Sequence, residues 1–212
     1  MSDVKMLGLR ELKKRETRQE ISDKATRLFI DQGFEQTTIA EIAEAARVAK
    51  KTVTNYFARK EDLAFDHHEQ FVATLAAIVA ERAPGESALA ALRRVFLEAA
   101  ERQDPMLGFT RDGFARMIVD SPTLVARLRE LMEQREEALA RLLAAETGDA
   151  EGTVSRLVAV QLAAPYRVLL QRIMELTLEG VDNARIAEVV GAAAREVFEL
   201  MEPSLGSYAV RS

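Results

Sequence analysis

The segment from residue 37 to residue 63 constrains this chain most. Thr38-Ile39-Ala40-Glu41 has the form of a capping box. In such a box the threonine hydroxyl holds the N3 amide and the N3 glutamate reaches back to the cap amide. The helix it opens turns Ile39, Ile42, Ala43 and Ala46 inward and must stop near Ala46, because Arg47-Val48-Ala49 leaves room only for a tight connection. A second short helix is expected from Lys50 to Phe57. Two short helices joined by about three residues make a helix-turn-helix candidate.

The rest of the chain also reads as helix. Its 212 residues include ten glycines and five prolines, with 48% hydrophobic and 30% charged residues. This suits a soluble, folded chain. Glu11 to Gln32 carries an apolar stripe at Ile21, Ala25, Leu28 and Phe29, and Gly33 sits where a helix C′ glycine belongs. A longer helix is expected from Glu61 to Arg82, stopped by Pro84-Gly85, and the next runs from a Ser87 cap to Gln103. Residues 104–120 read as shorter pieces loosened by Pro105, Gly108 and Gly113. Ser121-Pro122 starts a helix reaching Glu146. Thr153 opens one that Pro165 should kink before Gly180, and Asp182 or Asn183 caps a last helix ending at Glu202-Pro203. The expectation is an all-α fold of nine helices without a strand. Its domains would be residues 1–60, with the helix-turn-helix, and residues 61–204, followed by a disordered tail at 205–212.

Charge divides the same way. Residues 1–60 hold 13 Lys and Arg against 9 Asp and Glu, a net +4, whereas the remaining residues hold 16 against 25, a net −9. A basic head on an acidic body is the asymmetry expected when one end meets phosphate. Cysteine is absent, which excludes disulfides, thiolate metal sites and a cysteine nucleophile. The first ten residues lack the apolar region of a secretory signal, and no apolar run is long enough to span a bilayer. A cytoplasmic protein without membrane partners is expected.

In a helix-turn-helix the second helix enters the major groove and its N-terminal residues meet base edges. Here that helix offers Lys50, Lys51, Thr52, Thr54 and Asn55. Lysine donates to guanine, asparagine pairs with adenine, and a threonine methyl meets the thymine methyl. Val53 and Phe57 face inward, while Tyr56 and Lys60 are the types that hold phosphates. Thr38, at a helix N-terminus, sits where an anion is welcome. Arg10, Lys13, Lys14, Arg15 and Arg18 crowd the start of the first helix, where cations oppose the dipole unless a phosphate partner explains them.

On this set of residues the chain resembles the TetR (tetracycline-repressor) family. The likeness rests on Phe29…Gly33-Phe34, Thr37-Thr38-Ile39…Ile42-Ala43, and Thr52-Val53-Thr54-Asn55-Tyr56-Phe57…Lys60-Glu61-Asp62-Leu63. Two positions depart from the family pattern: Arg47 stands where glycine is common, and Ala49 where a hydroxyl usually caps. The resemblance implies an all-helical homodimer whose first three helices bind operator DNA. It further implies that the remaining helices form a ligand-binding and dimerisation domain, and that Thr38, Tyr56 and Lys60 hold phosphates.

For the body the sequence offers candidates. Phe71, Leu75, Phe96, Met106, Phe109, Phe114 and Met117 cluster near the loosened segment as lining for an apolar cavity, with Tyr166, Arg111 and Arg116 as polar anchors. An apolar or amphipathic small-molecule effector is the expected partner. The last two helices carry aliphatic rows, Val158, Leu162, Leu169, Leu170, Ile173 and Leu176 on one and Ile186, Val189, Val190, Ala193, Val197 and Leu200 on the other. These rows point to a homodimer, and a two-fold dimer favours a palindromic operator. Adjacent His67 and His68 point about 100° apart on a helix and do not chelate one ion, so no metal or other cofactor is expected. No phosphate loop, Gly-x-Ser-x-Gly elbow or His-Glu-x-x-His occurs, which argues against an enzyme. The expected function is a transcriptional repressor released from its operator by a small molecule, with ligand acting through the 61–82 helix by way of residues 104–120. A non-specific architectural DNA-binding protein is the alternative, and a small helical enzyme a weaker one.

Overall fold

The computed structural model describes residues 2–211, with side chains from residue 11 onward except that of Asp112. The described residues contain nine α-helices and no strand. They are α1 (Ser2–Gln32), α2 (Ile39–Ala45), α3 (Lys50–Tyr56), α4 (His68–Ala80), α5 (Ala88–Glu101), α6 (Asp112–Val119), α7 (Pro122–Thr147), α8 (Thr153–Leu178) and α9 (Asn183–Leu205). Short 3-10 turns occur at Glu61–Leu63 and Pro105–Leu107. No helix among them is long and apolar enough to cross a membrane.

The chain divides into two compact units, and the division is not a single cut near residue 60. One unit comprises residues 1–68 together with 116–127, and the other comprises 69–115 and 128–212. In the first, α1 packs on α2 and α2 on α3. Ile21, Phe29, Phe34, Ile42, Val53, Phe57 and Leu63 are buried there, and the rings of Phe29 and Phe34 lie 4.9 Å apart. Gly33 takes a φ of +89°, as its place after α1 requires.

The second unit is built on α5, α8 and α9. Its centre is an aromatic trio: Phe96 and Tyr166 meet edge to face at 5.0 Å, and Phe198 lies 6.1 Å from Phe96. The Tyr166 hydroxyl donates to the Leu92 carbonyl at 2.9 Å, so the one polar atom of the trio is satisfied.

Several boundaries differ from the sequence reading. The helix expected from Glu61 begins instead at His68, because residues 61–65 close as 3-10 and α turns, with Ala64 and Phe65 both donating to the Glu61 carbonyl. Pro165 lies within an unbroken α8, and α9 runs through Pro203 to Leu205. Residues 104–120 are less loose than their glycines and proline imply. Gly108 takes a φ of +100° with its Cα against α8, where an added Cβ would come within 2.3 Å of Leu170 Cδ1, and Leu107 and Phe109 on either side are buried.

The tail expected to be disordered is held as far as residue 211; Ser212 lies outside the described residues. Gly85 donates to the Arg211 carbonyl at 2.9 Å and Arg211 donates back to Glu86 at 3.1 Å. Arg82, almost fully buried, donates to the Ala209 carbonyl and binds the Glu146 carboxylate through both terminal nitrogens, at 3.1 and 2.6 Å. No local pattern announces these contacts, since Ala209 and Glu146 lie 127 and 64 residues from Arg82 in sequence.

Gly108→Ala should destabilise the protein by about 1–3 kcal/mol, from a left-handed backbone forced on alanine and the collision with Leu170. Urea unfolding would measure it, and a change within error would show that α8 gives way freely.

Candidate nucleic-acid interface

The interface is built from α2, its turn and α3. Thr38 caps α2 in the expected reciprocal box: Glu41 N–H donates to Thr38 Oγ1 at 3.3 Å, and Thr38 N–H donates to Glu41 Oε2 at 2.7 Å. The chain then turns on Arg47 in the left-handed region, at φ 54°, and Val48 donates to the Ala43 carbonyl. A non-glycine residue there costs roughly 1–2 kcal/mol. Ala49 caps α3 without a side-chain bond.

Val53 is fully buried and Phe57 nearly so, and these two residues fix the rotation of α3. Lys50, Lys51, Thr54 and Asn55 are consequently exposed, with Thr52 and Tyr56 half-buried at the edges. Thr54 donates back to the Lys51 carbonyl at 3.2 Å. Among the described residues no hydrogen bond or ion pair holds the side chains of Lys50, Lys51 or Asn55. The face thus presents two cations and the Asn55 amide with no side-chain partner among the described residues, beside a Thr54 hydroxyl bonded within the helix.

Three residues expected at phosphates are engaged by the protein itself. Lys60 donates to the Phe34 carbonyl and its ammonium lies 4.2 Å from the centre of the Phe34 ring. Burial there lowers its pKa, against the opposing effects of Glu35, Glu61 and Glu41. Arg18 donates to the carbonyls of Tyr56 at 2.7 Å and Asp66 at 3.1 Å, and stacks 4.4 Å from the Phe57 ring. It therefore satisfies a carbonyl left free at the end of α3. Thr38 donates its hydroxyl to Glu41 Oε2 at 2.7 Å. These hydrogen bonds hold the Glu41 carboxyl below its ordinary pKa, so a negative charge already occupies the start of α2. Lys13, Lys14 and Arg15 remain exposed, and the side chain of Arg10 lies outside the described residues.

Residues 116–127 complete this unit through bonds that no local pattern announces. Arg127 Nη2 donates to Asp62 Oδ1 at 2.8 Å, with both side chains buried. Asp62 Oδ2 accepts from the Arg59 amide as well. Ser121 caps α7 by accepting from Leu124 N–H and donates its own hydroxyl to Glu35 Oε1 at 2.6 Å. That bond is the main reason the Glu35 carboxyl sits below its usual pKa. The sequence showed Asp62 as part of Lys-Glu-Asp-Leu and Ser121 as a cap, but neither signal carries the identity of a distant partner.

Most of the expected cavity residues are buried. Leu75, Phe96, Phe109 and Tyr166 belong to the hydrophobic core, whereas Phe71 and Phe114 are half-buried. Met117 is buried among the residues of the other unit. Most of the aliphatic rows of α8 and α9, including Val158, Leu162, Ile173, Ile186 and Val190, are also monomer core. What α8 exposes instead is Val154, Leu157, Val160 and Val168, and α9 leaves Leu200 82% exposed.

Comparison with known proteins places these features. Residues 21–66 match the family model described as bacterial regulatory proteins, tetR family. Over 153 residues the chain is 33% identical to the HTH-type transcriptional regulator TcmR of Streptomyces glaucescens, covering 66% of this chain and 65% of that protein. The chain thus matches just under two thirds of that relative's length. The fold is similar to that of a TetR-family transcriptional regulator from Syntrophomonas wolfei (TM-score 0.58, 19% identity, 88% of this chain and 96% of that one). It is also similar to the Bacillus subtilis regulator FadR in complex with stearoyl-CoA (TM-score 0.51, 19% identity, 89% and 97%). A third likeness is to SmeT in a triclosan complex (TM-score 0.55, 19% identity, 85% and 90%).

Arg127→Met should lower stability by about 3–5 kcal/mol, because it leaves the Asp62 carboxylate buried without its cation. The double variant Asp62→Leu/Arg127→Met should recover most of that loss. A double variant no more stable than the single one, in urea unfolding, would show that the pair is not what couples these positions.

Proposed function

We propose that this chain, a member of the tetR family of bacterial regulatory proteins, is a transcriptional repressor that binds a palindromic duplex operator as a homodimer and leaves it when a small molecule binds the body. The observation that carries this reading is the outer face of α3: Lys50, Lys51, Thr54 and Asn55 are exposed while Val53 and Phe57 lock the helix from beneath. A rigid helix with unengaged donors is the geometry of direct major-groove readout. Asn55 is assigned to base contact. Lys50, Lys51, Thr52, Thr54 and Tyr56 are assigned to bases or neighbouring phosphates, and Thr38 to the α2 cap it forms with Glu41. Lys60 is assigned to the fold, on the strength of its bond to Phe34.

The exposed aliphatic residues of α8, with Leu200 of α9, support a homodimer through the last two helices. The complexes of FadR with stearoyl-CoA and of SmeT with triclosan support an apolar or amphipathic effector. A cytoplasmic location and the absence of enzymatic activity belong to the same reading. The effector signal is assigned to α7 rather than to residues 61–82. Its first two turns are fastened to Glu35 and Asp62 by Ser121 and Arg127, and the same helix continues to Thr147 in the other unit. Ligand that moves α7 would move that anchor.

Selection of sequences from a random duplex pool at near-physiological salt should recover a palindrome with half-sites about one helical turn, or a multiple, apart. Salt-sensitive binding without a recovered motif would favour an architectural protein instead. On the selected site, Asn55→Ala should cost about 1–3 kcal/mol and relax one base position. Lys60→Ala should leave the salt slope of binding unchanged while lowering the melting temperature. A slope flattened by about one would return Lys60 to the phosphates.

A further inference from the structure

Among the described residues of the body, one buried arginine has no carboxylate within ion-pair distance. Arg135 of α7 is 4% exposed, its Nε is enclosed without a hydrogen-bond partner, and no ion pair or hydrogen bond to it is present among the described residues. Its guanidinium lies 4.3 Å from the centre of the Phe71 ring and 5.7 Å from that of Tyr166. The neighbouring acid, Glu136, makes its ion pair with Arg167 at 3.9 Å and acts on Arg135 only through longer-range attraction, while burial raises its carboxyl pKa. The Tyr166 hydroxyl is committed to Leu92, and burial drives its pKa well above the usual phenol value, so it remains neutral. Burial lowers the Arg135 pKa to about 10, which still leaves the group charged at neutral pH.

A buried cation of this kind weakens a fold unless something compensates it. Two aromatic faces compensate in part. They leave the hydrogen-bonding edge of a planar, fork-shaped donor unused, and that edge matches a carboxylate or similar oxyanion. We propose that Arg135 is the anchor for an anionic effector: a small molecule with an apolar body and one oxyanion, held by the guanidinium between Phe71 and Tyr166. This rests on reading residues 69–115 and 128–212 as the effector-binding body. It narrows the effector from any apolar compound to an apolar acid, and it places the contact on the same helix whose first two turns Ser121 and Arg127 fasten.

The test uses two fluorescent probes with the same aromatic rings, anionic anilinonaphthalene sulfonate and neutral N-phenylnaphthylamine, titrated into the full-length protein. Wild type should bind the sulfonate tighter than its neutral counterpart by about tenfold or more, as expected for a charge-assisted contact in a closed site. Arg135→Met should abolish that preference, keep the neutral probe and raise the melting temperature of the unliganded protein. Arg135→Lys should retain part of the preference. Displacement of the sulfonate by decanoate or by naphthoate then separates an aliphatic acid from a planar aromatic one. Equal wild-type affinity for both probes would overturn the proposal, as would a sulfonate preference that survives Arg135→Met. If the preference depends on Arg135 but duplex selection recovers no motif, the anion site stands and the regulator reading falls. If selection succeeds and Arg135 has no effect on either probe, the regulator stands without this anchor.

Discussion

The ion pair between Asp62 and Arg127 is the contact on which this architecture turns. It joins a 3-10 turn just after α3 to a residue 65 positions later, and both groups are withdrawn from water. Buried pairs of this kind contribute little net stability compared with well-packed apolar groups, yet they tolerate no partial loss. Their value here is positional. Ser121, which caps α7 and binds Glu35, fixes the same segment a turn and a half earlier along the chain. Between them, these bonds make the start of α7 a part of the first unit even though most of that helix belongs to the other.

The basic residues of the first unit divide into two populations. Arg18 and Lys60 turn inward, each spending its donors on backbone carbonyls and its charge on aromatic faces. Lys50 and Lys51 face outward with nothing to hold them. Composition counts all four equally. Only the fold distinguishes cations that hold α3 in place from cations that α3 presents.

This distinction marks how far the sequence was legible. The capping box at Thr38, the caps at Ser87 and Asp182, the turn at Arg47 and the inward residues Val53 and Phe57 were all readable, because each depends on neighbours within one or two helical turns. The break between Leu63 and His68 was not, since it contains neither glycine nor proline and is held by hydrogen bonds of Asp62 and Glu61. The aliphatic rows of α8 and α9 were visible, but periodicity alone did not separate the residues that fill the core from those left on the surface. Arg135 is not legible in the sequence, because a lone arginine among charged neighbours on a long helix reads as solvated. Its burial between Phe71 and Tyr166 depends on helices far away in sequence.

The outward face of α3 also bears on how such a protein diverges. Its exposed side chains contribute nothing to the packing beneath them, which rests on Val53 and Phe57. Substitutions at positions 50, 51 and 55 therefore meet little folding constraint, and the chemistry of this face can change one residue at a time. Positions 62 and 127 are under the opposite regime, since either change alone strands a buried charge. Freedom on the outer face of α3 and constraint at the buried pair that follows it thus coexist within one unit of the chain.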